Sequence, residues 1–437
     1  MIFNIYWPLA LSWLIMSIGN PIVNAFVSRM ADPEINLGAH GGVVYPISML
    51  IESPIMMMIS VSIAMAKDKI NYRRIYKLMM WLCFGLTVLH SLIAFTPLFN
   101  VVIRDLMGIP KELHELSRIG LTIMIPWAWA IGYRRMYQGI LILRGKTKQV
   151  TVGTIIRMVT LFIIALAGYL LRNYVSGAAT AAAAMATGVM TEAVYIGIQG
   201  RKVIAASFEE GSKENLVSWR TLAAFCIPLV MMQFINLGWT SIGSAAMSRM
   251  LNPLISLAVW PVLSDITKIM CSFGNAVNET TLSLVQKKGI YPSLRKFSFL
   301  IAGLAALVYV LIAFTPVGDL WFRNFSGLTG NLFAAAKVGI LFVFLTPVCN
   351  VFLNFYQAIS LSARKSRFLF EGLLIFLVVL LIFIAVGIKY QRWEGIYVIL
   401  TGMNAGFLIQ TIWMRIRSAP YIPKDTGLPV LQVSVEN

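Results

Sequence analysis

Long apolar runs separated by short polar segments make up most of this chain. Each run spans about 20 or more residues, the length that an α-helix needs to cross the hydrocarbon core of a bilayer. The runs are too long, and alternate too little between apolar and polar residues, for the strands of a membrane barrel. The pattern predicts twelve membrane-spanning helices, at residues 6–29, 42–66, 76–103, 117–143, 149–171, 175–200, 221–248, 254–284, 297–322, 333–361, 368–388 and 395–414.

The composition supports an integral membrane protein. Hydrophobic residues make up 58% of the chain and charged residues only 12%, whereas a soluble domain carries roughly 25% charged residues. The first apolar run begins at about Tyr6 and is not followed by a small-residue cleavage site and a soluble domain. We therefore interpret this run as a retained first helix and not as a signal peptide.

The basic residues indicate the orientation of the helices. The formal net charge is +18, from 36 Lys and Arg against 18 Asp and Glu, but the basic residues lie in short groups between apolar runs, which argues against a nucleic-acid partner. The positive-inside rule predicts that both termini are cytoplasmic, and we expect a multi-pass protein of the plasma (inner) membrane. The basic groups follow the even-numbered helices, at residues 67–77, 144–148, 201–220, 287–296, 364–367 and 415–424.

Short sequences recur between the two halves of the chain. IAFTP at residues 93–97 recurs at 312–316, and Ser-Arg-Met at residues 28–30 recurs at 248–250. Because each copy holds an even number of helices, both copies share one orientation. The predicted fold class is therefore all-α, a polytopic membrane protein with two parallel six-helix repeats. Its predicted parts are a bundle at 1–200, a cytoplasmic linker at 201–220, a second bundle at 221–416 and a cytoplasmic tail at 417–437.

This plan predicts a transport mechanism. In transporters built from such repeats, the substrate binds between the halves near the bilayer midplane, and access alternates as the halves rock. Two superfamilies share the plan. One is the major facilitator group, and the other contains the MATE multidrug exporters and the lipid-linked oligosaccharide flippases.

Two segments of helix 1 carry a closer resemblance. YWPLAL at residues 6–11 and PIVNAFVSR at residues 21–29 resemble the progressive ankylosis (ANK) proteins of the MATE-containing superfamily, and the second repeat matches more loosely with MSR at 247–249. ANK-like proteins are linked to export of anions such as citrate, nucleotides or pyrophosphate, so the resemblance implies an anionic substrate. Some MATE exporters carry an essential carboxylate in helix 1, where this chain has Asn20 and Asn24. This difference argues against drug export coupled by that route.

Two acidic residues lie deep in predicted helices, where a charge costs about 2.5–3.5 kcal/mol on insertion scales. Glu52 lies some 15 Å into helix 2, close to the midplane, and Asp265 lies at a similar depth in helix 8. Each could pair with a neighbouring helix, or contact the substrate or a coupling ion, H⁺ or Na⁺. Lys268 follows Asp265 by three residues, which favours an ion pair within helix 8.

Basic residues also lie inside the predicted spans. Arg157 is near the midplane of helix 5 without a charged residue within helical reach, so we expect it to pair with Glu52, with Glu192 or with an anionic ligand. Arg134 and Arg135 lie in the cytoplasmic half of helix 4. They either extend to the lipid headgroups or line a vestibule for anions.

Asparagines add polar groups to equivalent helices of the two repeats. Asn20 and Asn24 lie on helix 1 and Asn236 lies on helix 7, where amides can hydrogen-bond across helices or to a ligand. The predicted substrate- or ion-binding residues are Asn20, Asn24, Glu52, Arg134, Arg157, Glu192, Asn236, Asp265 and Lys268.

Motifs of soluble enzymes are missing from the sequence. It contains no GxxxxGK[ST] loop, no HExxH and no Cys/His cluster, so we predict no cofactor, no metal site and no enzymatic activity. The predicted function is a secondary transporter that exports an organic anion, with the lipid bilayer and a small-molecule substrate as partners. Two alternatives stay open on the same fold, a proton- or sodium-coupled multidrug or cation antiporter and a lipid-linked precursor flippase.

Overall fold

The computed structural model describes residues 2–211, 216–287, 289–363 and 365–422. Within these ranges, eleven helices are long and apolar enough to cross a membrane. They are α1 Ile2–Val27, α2 Pro33–Met65, α3 Lys69–Phe95, α5 Thr147–Leu170, α6 Gly177–Ser207, α7 Trp219–Met247, α8 Pro253–Leu284, α9 Tyr291–Phe314, α10 Gly330–Ser362, α11 Arg367–Tyr390 and α12 Gly395–Tyr421. The remaining helix, α4, runs over His114–Ile123 and, after Met124, over Ile125–Leu143.

Each of the twelve predicted spans therefore corresponds to a described helix, and the predicted fold class is confirmed. Helix α4 is less apolar than the others because it carries Arg134 and Arg135 in its interior. Four basic residues that contributed to the predicted orientation lie outside the described residues, as does most of the predicted tail: Lys213, Lys288, Arg364 and Lys424.

Two helices end earlier than their apolar runs predict. Helix α3 stops at Phe95 and α9 stops at Phe314, although apolar residues continue to about residues 103 and 322. Thr96 and Thr315 are extended, with ψ of 174° and 169°, because a following proline disfavours the helical conformation of the residue before it. The repeated Thr-Pro pair is thus a helix stop in both halves.

Equivalent helices α2 and α8 begin alike and then differ. Both start with a proline in the first turn, preceded by a left-handed residue, Asp32 with φ of 46° and Asn252 with φ of 49°. Helix α2 then contains a wide π-helical turn at Gly38–Val44 and a 3₁₀ turn at Ser53–Met57, whereas α8 continues as an α-helix. Irregular turns of this kind often mark functional positions.

The first helix of each half packs against the second helix of the other half. The first segment of α1 contacts α8, where the Tyr6 hydroxyl donates to the Phe273 carbonyl at 3.3 Å. Helix α7 contacts α2 in the same way. Near their starts, α2 and α8 also cross closely, since a β-carbon at Gly41 would lie 2.5 Å from Pro261. Small residues permit such approach between membrane helices.

The two ends of the described chain lie at one face of the molecule. Ile2 and Ile422 pack against the same apolar cluster around Tyr6, and we call this side the terminal face. The described part of the linker is tied to the first half here, because Lys69 pairs with Glu210 at 2.9 Å and Arg74 donates to the Val217 carbonyl at 2.7 Å. The ammonium of Lys69 lowers the pKa of the exposed Glu210 carboxyl.

Candidate substrate cavity

A cavity of about 520 Å³ lies between the two halves. Its wall is formed by α1, α2, α4, α5 and α6 of the first half and by α7, α8, α10 and α12 of the second half. The volume falls within the range of about 300–1,000 Å³ that is typical of small-molecule sites. The molecule therefore encloses, between its repeats, a space large enough for a small organic ligand.

Eight of the nine residues that the sequence analysis selected line this cavity. The ninth, Glu192, lies behind the wall and is fully buried. The structure thus brings together residues from six helices that are far apart in sequence, because charged and polar side chains in a span face the interior and avoid lipid. The lining members are Asn20, Asn24, Glu52, Arg134, Arg157, Asn236, Asp265 and Lys268.

The first half contributes a basic wall, which we define as Arg134, Arg135 and Arg157. Glu192 orders two of these residues, since its Oε2 accepts from Arg134 Nη1 at 2.7 Å and lies 3.5 Å from Arg157 Nε. Gln138 donates to the other carboxylate oxygen at 3.1 Å. Fixed in this way, the guanidinium groups of Arg134 and Arg157 form part of the cavity wall.

The structure decides whether Arg134 extends to the lipid headgroups and which partner Arg157 has. Arg134 is only 6% exposed and is paired with Glu192, so the interpretation that it extends to the lipid headgroups is wrong. Of the predicted partners for Arg157, the structure supplies Glu192. The buried carboxylate of Glu192 is the ion-pair partner of Arg134, which therefore needs neither water nor lipid headgroups to balance its charge.

Glu52 lies where α2 changes from an α-helix to a 3₁₀ turn. Its carboxylate is buried, and neither oxygen has a partner at normal hydrogen-bond distance and angle among the described residues, although the Trp127 indole acts on it as a weak donor. The guanidinium groups of Arg134 and Arg135 act on it electrostatically. A buried carboxylate facing a cavity without partners is a position at which a proton, a water molecule or a ligand group is needed.

Other polar atoms of the wall share this property. Within the described part of the chain, five further lining residues hold a buried nitrogen or oxygen without a hydrogen-bond partner. Such atoms are rare in native interiors, and their concentration here supports a polar occupant of the cavity. They are His40 Nδ1, Trp127 Nε1, Arg134 Nε, Arg135 Nε and Ser264 Oγ.

The second half contributes Asp265 and Lys268, and both contact the first half. Asn24 Nδ2 donates to Asp265 Oδ2 at 2.5 Å, and the Lys268 ammonium lies 5.6 Å from the centre of the Tyr45 ring. The predicted ion pair between Asp265 and Lys268 is wrong, since no nitrogen–oxygen distance of 4.0 Å or less joins these two described side chains, although the ammonium still acts electrostatically on the carboxylate. Asp265 contacts Asn24 of α1 and Lys268 contacts Tyr45 of α2, and these contacts compete with an ion pair inside α8.

Neutral amides make up much of the rest of the second wall. Asn236, Asn275 and Asn350 line the cavity. Behind them, Asn354 Nδ2 donates to Asn350 Oδ1 at 3.1 Å and to Asn275 Oδ1 at 3.4 Å. Apart from the opposite charges of Asp265 and Lys268, this wall offers neutral hydrogen-bonding groups. Among the described residues, no group of three or more His, Cys, Asp or Glu could hold a metal ion.

Four tryptophans of the wall were not selected from the sequence, namely Trp13, Trp127, Trp239 and Trp260. Tryptophan is also common at the membrane–water interface, so its presence in a span does not by itself indicate a site. A signal existed for Trp127, because it precedes Arg134 by seven residues and therefore lies on the same helical face.

Comparisons with known proteins agree with the fold. Residues 8–167 match the MatE family model, and a comparison with curated proteins found no match. The structure is similar to the inward-facing conformation of a multidrug resistance MATE family transporter of the MOP superfamily, with a TM-score of 0.72 and 15% identity over 96% of this chain and 99% of that one. The outward-facing conformation of such a transporter gives 0.58 and 14% identity over 97% and 96%.

A third similar structure is a MOP superfamily transporter from Pyrococcus furiosus Vc1 (DSM3638). The TM-score is 0.57 at 16% identity, over 97% of this chain and 96% of that one. The description of that protein states that the reverse polarity of its binding pocket suggests a different function. The chain therefore has the multi-pass membrane fold of MATE transporters.

Proposed function

We propose that this chain is a secondary active transporter that exports an organic anion by alternating access between its two six-helix halves. The observation that carries the proposal is the cavity between the halves, with the basic wall of Arg134, Arg135 and Arg157 on one side. The MatE match over residues 8–167 and the MATE transporter fold support the transport class. The anionic substrate and the ANK-like subtype rest on the wall and on the sequence resemblance.

The charges around the cavity favour an anion. Four cationic side chains, those of the basic wall and Lys268, face three carboxylates, Glu52, Glu192 and Asp265. With all seven ionised, the sum is 4 − 3, a net positive charge. In a site of low dielectric constant, this excess attracts an anion and disfavours a cation. An anion would also supply acceptors for the unpartnered Nε atoms of Arg134 and Arg135.

Rocking of the halves requires contacts that can break. At the cavity, Asn24 and Asp265 join α1 of the first half to α8 of the second, and Lys268 lies over Tyr45 of α2. These are a single hydrogen bond and a single cation–π contact, and a bound ligand or water can replace each of them. They suit a cavity whose two walls separate and rejoin during a transport cycle.

The proposed orientation places the terminal face in the cytoplasm of a plasma (inner) membrane. Described basic residues concentrate on this face around the described part of the linker, including Lys67, Lys69, Arg73 and Arg144. A positive cytoplasmic surface is what the positive-inside rule expects. Substrate would then enter the cavity from the cytoplasm and leave at the opposite face.

A second candidate function, proton- or sodium-coupled antiport of cations or drugs, is favoured by Glu52. Its buried carboxylate lies in the cavity wall without a hydrogen bond of normal geometry among the described residues. Loss and gain of a proton, or exchange for Na⁺, would change the charge of the cavity during transport. The same group could couple ion movement to anion export, so the two functions are separated by the substrate.

The test is the melting temperature of the purified protein in detergent against citrate, nucleotides, pyrophosphate, cationic drugs and a polyprenyl-phosphate lipid. A ligand at 100 times its dissociation constant stabilises the folded state by about 2.7 kcal/mol. We expect a shift with an anion that disappears in Arg157→Gln and persists in the matched control Arg172→Gln, an exposed arginine just beyond α5. A shift with cationic drugs alone would indicate the antiporter, and a shift with the lipid alone the flippase.

A further inference from the structure

The four tryptophans of the cavity wall point to the chemical class of the ligand. Trp13, Trp127, Trp239 and Trp260 line one cavity, although the whole chain contains only 11 tryptophans. We infer that the exported anion carries an aromatic ring beside its anionic group. This inference rests on the proposed anion transport. It adds an aromatic group to the negative charge already proposed for the substrate.

Helix α4 presents an aromatic ring and two guanidinium groups on one face. Trp127, Ile131, Arg134 and Arg135 all line the cavity, and their spacing of four, seven and eight residues places them on the same side of a helix. The α-carbons of Trp127 and Arg134 are about 10 Å apart along the axis. Trp127 is 3% exposed, so one small molecule can contact the exposed edge of the indole while its carboxylate or phosphate group lies against the arginines.

The opposite wall holds its indoles in a fixed arrangement. The rings of Trp239 and Trp260 lie 5.9 Å apart at 88°, and Trp239 lies 5.6 Å from Phe376 at 81°. Both contacts are edge-to-face, which is a favoured geometry for aromatic pairs. Indoles held in this way form a rigid apolar surface. A small, wholly polar anion would leave this surface in contact with water, whereas an aromatic body would cover it.

Two matched pairs of anions test the inference in the full-length protein in detergent. The pairs are phenyl phosphate against methyl phosphate and benzene-1,3-dicarboxylate against glutarate, because the members of each pair have the same anionic groups. From thermal shifts measured as a function of concentration, we expect the aromatic member to bind about tenfold tighter. Trp127→Leu should reduce this preference, and Trp81→Leu, a substitution on the exposed face of α3, should leave it unchanged.

The outcomes separate this inference from the proposed function. Equal binding of the two members of each pair would overturn the aromatic class while leaving anion binding in place. Absence of a shift with every anion, together with a shift from an aromatic cation, would overturn both. Because the wild-type comparison is decisive alone, the test does not depend on the folding of Trp127→Leu.

A second inference rests on independent contacts at the face opposite the termini. Here Ser28 and Arg29, at the end of α1, donate to the carbonyls of Ser326 and Asn324 in the second half. The arginine also donates to Ala25 within its own helix. These bonds join the last turn of α1 to the segment between α9 and α10.

The second repeat makes the same contacts in the reverse direction. Ser248 and Arg249, at the end of α7, donate to the carbonyls of Met107 and Leu106 in the first half. Arg249 likewise donates to Ala245 within its own helix at 3.0 Å. Each half thus contributes one donor pair and one acceptor loop. The recurring Ser-Arg sequence is therefore repeated in its contacts as well as in its residues.

Glycines allow the acceptor loops to take their shape. Gly108 and Gly327 follow the accepting carbonyls of Met107 and Ser326 and have φ of 68° and 69°. Residues with a side chain rarely adopt this conformation. A β-carbon at Gly327 would also lie 2.7 Å from the Ser28 hydroxyl. Both loops are thus built so that a serine and an arginine can approach the backbone closely.

We propose that these two Ser-Arg pairs form a pseudo-symmetric latch that keeps the face opposite the termini closed. All four bonds cross between the halves, so a rocking motion that opens this face must break them together. Hydrogen bonds from a charged guanidinium are stronger than neutral ones. The higher TM-score with an inward-facing structure, 0.72 against 0.58 for an outward-facing one, agrees with a closed latch.

Distances between spin labels on the two halves test the latch. Labels at Lys111→Cys and Asn331→Cys, both exposed residues on this face, would be measured in a background without the native cysteines. We expect the double variant Arg29→Gln/Arg249→Gln to increase the population of longer distances, and each single variant to do so less. Arg104→Gln is the matched control, because this arginine pairs with the neighbouring Asp105 at 2.7 Å and not across the halves.

An unchanged distance distribution in the double variant would overturn the latch. If that variant does not fold, Ser28→Ala/Ser248→Ala removes two of the four crossing bonds with a smaller change of volume and charge. A shift to longer distances in Arg104→Gln as large as in the double variant would also contradict the proposal, since it would assign the effect to surface charge in general.

Discussion

The two halves of the molecule are alike at their ends and different at the cavity. Both have a Thr-Pro helix stop, a left-handed residue before the first proline of the second helix, and a Ser-Arg pair that contacts the other half. In the cavity, the first half presents three arginines ordered by Glu192, whereas the second presents Asp265, Lys268 and neutral amides. Repetition is thus retained at the contacts between the halves, and lost at the cavity that we propose binds the substrate.

The repeat itself shows where the charges differ. Tyr137-Gln138 aligns with Tyr356-Gln357 at an offset of 219 residues (356 − 137), and the same offset places Asn354 at the position of Arg135 (135 + 219). Asn354 takes part in an amide network with Asn350 and Asn275. At this position the first half has an arginine that lines the cavity, whereas the second half has an amide that lies behind the wall and bonds to two lining amides.

The largest effect on stability is expected at Glu192. Glu192→Gln leaves the buried guanidinium groups of Arg134 and Arg157 without their carboxylate, and removal of one partner of a buried ion pair costs about 3–5 kcal/mol. The measurement is the free energy of unfolding or the melting temperature in detergent. Glu371→Gln in the second half is the control, because its more exposed ion pairs should contribute no more than about 1 kcal/mol. Equal losses of stability in the two variants would contradict the expectation that Glu192 stabilises the fold by ordering the basic wall.

The next effect concerns ligand binding by the two walls. Arg157→Gln should remove most of the roughly 2.7 kcal/mol of stabilisation that an anion provides at 100 times its dissociation constant. Lys268→Gln should remove less, because this ammonium lies against Tyr45 and outside the cluster of arginines. The measurement is the thermal shift as a function of anion concentration. If Lys268→Gln caused the greater loss, the binding side would have to be assigned to the second half.

The pH dependence of transport distinguishes the two cavity carboxylates. Glu52 has no hydrogen bond of normal geometry among the described residues, whereas Asp265 accepts one from Asn24 at 2.5 Å. We therefore expect Glu52→Gln to flatten the pH profile of transport in proteoliposomes, and Asp265→Asn to change its rate with less effect on its shape. A profile that is retained in Glu52→Gln would remove this residue from proton coupling.

The smallest effect is expected at a helix start where the halves differ. Asp68 caps α3 by accepting from the Asn71 amide at 2.8 Å, whereas the corresponding helix α9 has Ile290 before it and no side-chain cap. Loss of a cap costs about 1 kcal/mol, so Asp68→Ala should lower the melting temperature slightly. Ile290→Ala is the comparison for α9. A similar loss in both variants would show that the cap itself contributes little.

The helices and most cavity residues could be predicted because membrane physics constrains them. A span needs about 20 apolar residues, and a charge within it faces the protein interior. Glu52, Arg157 and Asp265 were selected on this basis and line the cavity. Lipid cannot solvate a charge, so the interior of the protein is the alternative for a charged side chain in a span.

The remaining features depend on local backbone geometry and on tertiary contacts. Apolar residues continue beyond Thr96 and Thr315, so hydropathy extends α3 and α9 past the proline stops. The π-helical turn at Gly38–Val44 has no clear apolar pattern of its own. The partner of Asp265 lies 241 residues away in sequence, beyond the reach of helical spacing, which suggested Lys268 instead.

The most direct test of anion export through the basic wall is exchange of a labelled anion across proteoliposomes. Phenyl phosphate is a suitable probe, loaded on one side and exchanged against the unlabelled compound on the other. We expect exchange by the wild-type protein and by Arg172→Gln, and loss of exchange in a folded Arg157→Gln variant. Exchange by Arg157→Gln at the wild-type rate, or exchange of cations but not of anions by the wild-type protein, would contradict the proposed function.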